Sequence, residues 1–484
     1  MVMIRGSSII KSVSMLLCLL GLLALSVPII DFLTGFEVCV PFLLLSFVLT
    51  PLGVVAYGVK VDEGLNPTEA LISSLLAWVL LPLISAIPLS VATGISYVDA
   101  IFESISGFTG TGLTVLTGLD YLRPSLLFWR ALMQWVGELG FVVFAMVFFP
   151  FFYRYGLLIY GIERPVRIEA SMYRTARRLF EIYIMLTIIG ALSLYYTGMN
   201  IFDALVHSMT GIATGGMSNY DANYEAIYRA SPFTSIPLVL IMVLGATNFL
   251  LIDRLMRGEV SYIFNNEEFK TYVVLILLIS TMSSASFIAS NQHTAIQEAL
   301  VSSVFNAISA LTTTGFNIGP ISNLPSATKL TLTFGMVVGG MTFATVGGIK
   351  VLRLLILLKK IKATSIMLVT AGKIDVTVKL SGKILEDSEI ASALILVFLH
   401  LVAIFTGASV IKAFMHERDF VDIIFEATSA ASCVGLSSGV TSPVAPLGVK
   451  VTLMALMVLG RLEYLPVLLL AGYVLGRKTI KLIK

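Results

Sequence analysis

Four stretches of this chain repeat one pattern around a glycine, and each lies between two apolar runs. They are Tyr97–Val115, Ile201–Asn219, Ala299–Ile318 and Phe420–Gly439. Aligned on Gly112, Gly216, Gly315 and Gly435, they share a hydroxyl six residues earlier, at Ser106, Thr210, Ser309 and Ser429. Two residues after the glycine stand Thr114, Ser218, Asn317 and Ser437. Thirteen residues before it stand Asp99, Asp203 and Asp422, with Ser302 in the third copy. The glycines are 104, 99 and 120 residues apart, too long a period for a solenoid of about 20–50-residue repeats. Four equivalent loops in one apolar chain suggest four quarters of a ring around one pathway. A ring of backbone carbonyls inside a membrane can replace the water around a cation.

The setting is a membrane. The chain is 57% hydrophobic and 13% charged, where a soluble domain carries about 25% charged residues. Ten apolar runs, near 8–30, 37–58, 70–93, 127–151, 178–197, 233–252, 271–289, 327–358, 388–413 and 447–475, read as spans. The first follows Arg5 and Lys11 as a signal peptide would, but its length favours a retained helix. Basic residues gather in alternate connections: Arg154, Arg164, Arg167, Arg174, Arg177 and Arg178, then Arg254, Arg257 and Lys270. Lys350, Arg353, Lys359, Lys360, Lys362, Lys373, Lys379 and Lys383 follow, and Arg477, Lys478, Lys481 and Lys484 close the chain. The positive-inside rule then predicts both termini in the cytoplasm and all four glycine segments outside. Cys18, Cys39 and Cys433 show no metal or disulfide spacing.

From Asp99 to Phe108 is about ten residues, roughly 15 Å as a helix, or half the hydrocarbon core. Such a segment must enter and turn back, and non-helical backbone at that depth must be buried in protein or line a water-filled cavity. An aspartate near its start complements the helix N-terminus, and the opposite, negative end favours a cation at the centre. The glycine that follows can take angles other residues avoid, turning neighbouring carbonyls to the axis. The flanking hydroxyl and amide side chains are expected to tie each loop to its short helix. Packing motifs of small residues also occur in membrane helices, but four copies in register are better explained as a pathway.

These residues resemble the Trk/Ktr/HKT superfamily of potassium-uptake proteins, most closely its TrkH-type branch of pore-forming subunits. Besides the four loops, Phe128–Pro150 is similar to the family's second helix of the first repeat. Gly339–Leu358 resembles its interrupted helix of the third repeat, and Gly460–Leu469 its last helix. The resemblance implies an all-α polytopic fold of four pseudo-symmetric helix–pore loop–helix repeats plus two extra N-terminal helices. The boundaries expected are 1–65 for the extra helices and 66–160, 161–260, 261–375 and 376–484 for the repeats. It implies a potassium selectivity filter at Thr111, Gly112, Gly215, Gly216, Thr314, Gly315, Val434 and Gly435, with Thr114, Ser218, Asn317 and Ser437 in support. Glycine at all four positions goes with potassium; serine at the first goes with sodium in some relatives. It implies gating by Gly339, Gly340, Gly347, Gly348, Lys350 and Arg461. It further implies a homodimer in the plasma (cell inner) membrane above a cytoplasmic TrkA-like ring whose RCK domains bind nucleotide. Potassium is then the substrate, and no cofactor is expected in this chain.

Several positions stay open. Arg461 matches an arginine facing the pathway below the filter, or it is a structural cation paired with Glu463. Lys350 interacts with the same region or anchors its helix at the cytoplasmic face. The segment Met341–Val346 is poorer in glycine and serine than the family's gating loop, so it is expected to be stiffer. Glu138 is a carboxylate near the pathway or is paired with a basic residue such as Arg130; the pairing is favoured. Thr111 and Thr314 precede their glycines where Gly215 and Val434 precede theirs, so the ring is not chemically fourfold. His207, His293, His400 and His416 have no ligand spacing and read as structural. Asp253 with Arg254 and Arg257 reads as an ordinary helix end. The favoured function is gated potassium uptake driven by membrane potential; the alternative is symport with protons or sodium. An intramembrane protease, suggested faintly by Gly435–Gly439 with His400, and a non-conducting receptor are weaker competitors.

Overall fold

The computed structural model describes residues 5–58, 66–140, 172–290, 296–371 and 377–464, with Leu468 and Gly472. The fold is all-α; the β structure among the described residues is one ladder, Lys379–Leu380 against Lys383–Ile384. Four long apolar helices, Thr68–Thr93, Thr175–Tyr196, Glu267–Ser290 and Asp387–Phe414, each open a repeat. Each is followed by a short helix: Tyr97–Phe108, Ile201–Ile212, Ile296–Leu311 and Phe420–Ala431. Three of them have twelve residues, about 18 Å, and the third has sixteen, about 24 Å, all shorter than a hydrocarbon core of roughly 30 Å. Ser96, Asn200 and Asp419 cap three of them by accepting backbone N–H bonds, from Asp99, Asp203 and Val421.

A trailing helix then closes each repeat, and it is here that the apolar runs mislead. The run 233–252 is two helices, Ser235–Gly245 and Phe249–Met256, bent by 107° in their joint span. The run 327–358 breaks after Ser326–Val338 and resumes only at Val351–Val369. The first and fourth trailing helices, Pro124–Leu139 and Leu447–Arg461, are of similar length, 16 and 15 residues. Left-handed residues end three of them: Gly140 at φ 97°, Gly339 at 71°, and Glu463 with Tyr464 at 49° and 59°. Hydropathy does not register a break made of apolar residues. Arg154, Arg164, Arg167, Lys373, His293 and the basic chain end from Arg477 lie outside the described residues, as does the expected boundary near 160.

The trailing helices press onto the ends of the short ones. A β-carbon on Gly137 would lie 1.9 Å from the Phe108 carbonyl oxygen, and one on Gly460 would lie 1.9 Å from that of Ala431. At Gly245 the corresponding distance, to Ile212, is 2.6 Å. All three carbonyls stand four residues before a loop glycine.

Each seam between repeats has its own fastening. Arg130 donates to the Ser218 carbonyl at 3.0 Å, joining repeats one and two. Tyr224 stacks on Phe305 at 5.0 Å between centroids, joining two and three. Lys329 meets Asp422 at 2.6 Å, and Lys450 meets Asp99 at 2.5 Å, closing three to four and four to one. Thus two of the aspartates at the starts of short helices have a second task beyond the helix terminus.

The two additional helical segments, Gly6–Thr34 with a break at Leu25 and Val40–Gly58, pack closely at small residues. A β-carbon on Gly53 would lie 2.4 Å from Cys18 Sγ. Asp31 ties this pair to repeat one by accepting from Ser125 at 2.5 Å and facing Arg123 at 3.6 Å. Cys18, Cys39 and Cys433 are buried free thiols.

Removing one partner of a buried ion pair strands the other, at roughly 3–5 kcal/mol when both are fully enclosed. The Lys329 and Asp422 side chains are 7% and 12% exposed, so the lower end applies. Lys329→Met is expected to lower the thermal unfolding midpoint of the purified protein by several degrees. Lys329→Met with Asp422→Leu should recover most of the loss.

Candidate ion pathway

The four loops leave their short helices by the same backbone turn. The residue before each glycine donates its N–H to the carbonyl five residues earlier. These bonds run from Thr111 to Ser106 (2.9 Å), Gly215 to Thr210 (2.8 Å), Thr314 to Ser309 (2.9 Å) and Val434 to Ser429 (2.9 Å). Two left-handed residues alternate with this one. Gly110, Thr214, Thr313 and Cys433 have φ of 69°, 48°, 52° and 51°; Gly112, Gly216, Gly315 and Gly435 have 83°, 68°, 90° and 94°. The second set has a steric reason as well as a conformational one. A β-carbon on Gly112 would lie 2.1 Å from the Gly215 carbonyl oxygen, and one on Gly216 would lie 1.9 Å from that of Thr314. The same contact runs from Gly315 to Val434 at 2.1 Å and from Gly435 back to Thr111 at 2.4 Å. The series closes on itself. Thr111, Gly112, Gly215, Gly216, Thr314, Gly315, Val434 and Gly435 therefore form one ring, backbone against backbone.

The polar residue after each glycine was expected to tie the loop to its helix, and in three repeats it does. Thr114 donates to Glu103 at 2.5 Å, Ser437 donates to Glu426 at 2.8 Å, and Ser218 bonds His207 Nε2 at 3.0 Å. Asn317 does not: its amide turns to the Gly319 carbonyl at 2.8 Å. In that repeat Asn306 makes the tie, bonding both the N–H and the C=O of Ile318 at 3.0 Å. Glu103, His207, Asn306 and Glu426 all stand nine residues before the glycine, and all are buried. This position escaped the sequence reading because its chemistry varies, although it is in register in all four copies.

Each carboxylate there is fully engaged. Glu426 also accepts from Ser438 N and Thr441 N at 2.8 and 3.0 Å, and Glu103 accepts from Val115 N at 2.6 Å and faces Arg130 at 3.4 Å. His207 is held on its other nitrogen by the Asp203 carbonyl at 2.8 Å. Asp203 itself accepts from Asn219 at 2.5 Å and Tyr220 at 2.6 Å. Burial, and then the Asp203 carboxylate, raise the Tyr220 phenol above its ordinary value, so it stays a donor. Among the hydroxyls six residues before the glycine, Ser309 and Ser429 accept the N–H of Gly315 and Gly435 at 3.0 and 3.1 Å.

Beneath the ring lies the break in the third trailing helix, residues 339–350. Gly339, Phe343, Gly348 and Lys350 are all left-handed there. The segment is docked onto three of the four loops. Thr214 donates to the Thr345 carbonyl at 2.5 Å, the Gly347 N–H meets Thr313 Oγ1 at 3.1 Å, and a β-carbon on Gly347 would lie 1.9 Å from the Ser432 carbonyl. Thr345 Oγ1 lies 2.8 Å from the Ile212 carbonyl. Gly340 leaves no room for a side chain against Ala246, and Gly348 would place a β-carbon 3.0 Å from the Met336 carbonyl.

The profile of the TrkH cation transport protein family matches residues 75–479. The chain belongs to the TrkH family. Among its relatives is an uncharacterized cation transporter of Methanocaldococcus jannaschii, 32% identical over 87% of this chain and 86% of that one. The Trk system potassium uptake protein TrkH of Escherichia coli K12 is 28% identical over 85% and 86%. The crystal structure of the potassium transporter TrkH from Vibrio parahaemolyticus superposes with a TM-score of 0.85. It is 26% identical and covers 96% of this chain and 98% of that one.

In this TrkH-family chain the ion pairs differ from those expected. Glu138 pairs with Arg461, not with Arg130, whose partner is Glu103. Arg461 also donates to the carbonyls of Gly137 and Glu138 at 2.7 and 2.8 Å, binding the end of the first trailing helix to the fourth. Glu463 instead takes Lys350 at 2.5 Å together with Arg353. Sequence proximity suggested the wrong partners because the right ones lie 323 and 113 residues away. Asp253 is no ordinary helix end: it is buried and held by Arg178 at 2.7 Å and Arg257 at 2.8 Å. The serines of Gly435–Gly439 bond Glu426, while His400 meets Ser432 and Tyr464, so no serine–histidine pair forms in that motif.

Each buried N–H left without an acceptor costs about 1–3 kcal/mol. Glu426→Ala strips Ser438 and Thr441 at once. Its expected outcome is loss of cation uptake in protein that still inserts and elutes as a single species. Glu426→Gln, keeping one acceptor oxygen, should retain measurable uptake.

Proposed function

We propose that this chain mediates potassium uptake, passing the ion through the ring of Thr111, Gly215, Thr314 and Val434 carbonyls as a selectivity filter. The observation that carries the reading is the closed series of glycine-to-carbonyl contacts, in which four loops meet edge to edge with no side chain between. The relatives named for potassium uptake support the choice of ion. The negative ends of four half-length helices converge on the same place, which favours a cation. One short layer of carbonyls discriminates less than a long filter would. The four repeats then occupy the proposed boundaries, 66–160, 161–260, 261–375 and 376–484.

Transport in this reading is passive. The membrane potential supplies about 2.3 kcal/mol per charge per 100 mV, roughly a fiftyfold concentration. Coupling to protons or sodium would need a group free to exchange them, and Glu138, the carboxylate considered for that task, is engaged by Arg461. Gating is assigned to residues 339–350, with Gly339, Gly340, Gly347 and Gly348 permitting its movement. Lys350 latches it through Glu463, and Arg461 braces the neighbouring ends of the first and fourth trailing helices through Glu138. The loop's hydrogen bonds to the second and third filter loops, and its close approach to the fourth, support a closed resting state. By the positive-inside rule the ring faces outward in the plasma membrane and both termini are cytoplasmic. A homodimer above a nucleotide-binding TrkA-like ring completes the proposed assembly, and the resemblance supplies that part of it.

The test is rubidium uptake into liposomes holding the purified protein, with internal potassium fixed and sodium and proton gradients imposed in turn. Uptake that follows the potassium gradient and voltage alone is expected; uptake driven by either imposed gradient would establish symport instead. Gly112→Ser forces a side chain into a left-handed position, at about 1–3 kcal/mol, and displaces the Gly215 carbonyl. It should raise sodium permeation relative to potassium, and unchanged selectivity would remove Gly112 from the filter. Arg461→Ala should speed uptake severalfold; an unaltered rate in folded protein would make the arginine purely structural.

A further inference from the structure

The ring is asymmetric in a way that its glycines do not require. Gln134, fully buried on the first trailing helix, donates its side-chain N–H to the Gly215 carbonyl at 2.6 Å. Its other end accepts the Met217 N–H at 3.0 Å, so one carboxamide grips the second loop on both sides of Gly216. Among the described residues no side chain donates to the matching carbonyls of Thr111, Thr314 or Val434. The carbonyl held by Gln134 is the one against which Gly112 closes, and a β-carbon on Gly112 would lie 3.3 Å from Gln134 Nε2. The amide thus sits at the seam between the first and second loops.

The residue preceding the ring glycine explains why only this seam has such a clamp. A β-carbon on Gly215 would lie 2.4 Å from the Gln134 amide carbon, so the carboxamide occupies the space that a side chain at 215 would need. The other loops have Thr111, Thr314 and Val434 at that place. Counting eleven residues from the N-caps Arg123, Ser231, Pro325 and Pro446, the equivalents of Gln134 are Met242, Met336 and Met457, none of which can donate. A glycine in the loop and an amide on the helix replace a loop side chain.

We propose that Gln134 is a positioning residue that sets cation selectivity by fixing the orientation of the Gly215 carbonyl. This rests on the potassium-uptake reading above. A carbonyl with one lone pair committed to a short bond cannot follow a smaller ion inward, so the ring keeps the wider bore that suits potassium. Releasing it lets the first and second loops contract around sodium.

The experiment is competitive rubidium and sodium uptake into liposomes by the unsubstituted protein, Gln134→Met and Gln134→Glu. Gln134→Met installs the residue found in the other three repeats; Gln134→Glu keeps the shape and the acceptor for Met217 but turns the donor into a second oxygen. Both are expected to raise the apparent KM for rubidium about fivefold, the equivalent of one hydrogen bond of about 1 kcal/mol. Both should also raise relative sodium uptake, with the maximal rate within about twofold. If Gln134→Met fails to fold, Gln134→Glu decides alone. A fall in maximal rate with KM and selectivity unchanged would make Gln134 a packing residue and overturn the proposal, as would wild-type behaviour in both variants. Equal rubidium and sodium uptake by the unsubstituted protein would instead sink the potassium reading, before any variant is compared.

Discussion

Four backbone turns that leave no room for a β-carbon govern this structure. At Gly112, Gly216, Gly315 and Gly435 the chain is left-handed, and the place of the missing side chain is filled by the carbonyl oxygen of the next loop. Contact of backbone with backbone makes the ring a property of all four loops together. It also explains why the neighbouring side chains can differ. Thr111, Gly215, Thr314 and Val434 contribute the same atom whatever they carry beyond it. Pseudo-fourfold geometry thus persists without fourfold chemistry.

Bringing irregular backbone into an apolar interior obliges the protein to satisfy each N–H that water would otherwise hold. The four repeats reach four answers from one position. Glu426 gathers amide and hydroxyl donors and needs no cation; Glu103 takes backbone donors and Arg130; His207 and Asn306 give fewer bonds and no charge. Arg130 in turn reaches the Ser218 carbonyl, so satisfying one loop also joins it to the next. Local hydrogen bonding and assembly of the ring are the same interactions here.

The repeats made the ring legible in the sequence. Register alone placed the short helices, the glycines and the polar residues after them, and the structure brings these together. The break near Met341 is legible from its glycines and the resemblance, but not from hydropathy, which counts the stretch as span. What stayed hidden has definite causes. The position of Glu103, His207, Asn306 and Glu426 is aligned but chemically mixed. Asn317 looked equivalent to Thr114 and lost its task to Asn306 because its amide reaches Gly319 instead. Lys329 and Lys450 gave no sign of their partners, because pairing across a seam depends on the order of repeats around the ring. The same is true of Glu138, whose partner on its own helix seemed nearer.

That last pair shows what fusing four repeats into one chain permits. Fifteen residues from the N-caps Arg123, Ser231, Pro325 and Pro446 stand Glu138, Ala246, Gly340 and Arg461, the points at which the trailing helices break. Four identical subunits would place four like charges there, beneath the ring through which we propose the cation passes. Four arginines would repel the ion and one another, and four glutamates would hold it too firmly to release it. In a single chain the position can carry one acid and one base on adjacent repeats, with Ala246 and Gly340 between. The two charges then meet across the seam, as Glu138 and Arg461 do, and their fields largely cancel at a distance. Gly340 meanwhile leaves space for the intramembrane loop that packs against Ala246. Neutral pairing, helix break and loop docking are thus three uses of one repeated position, and each requires that the repeats differ.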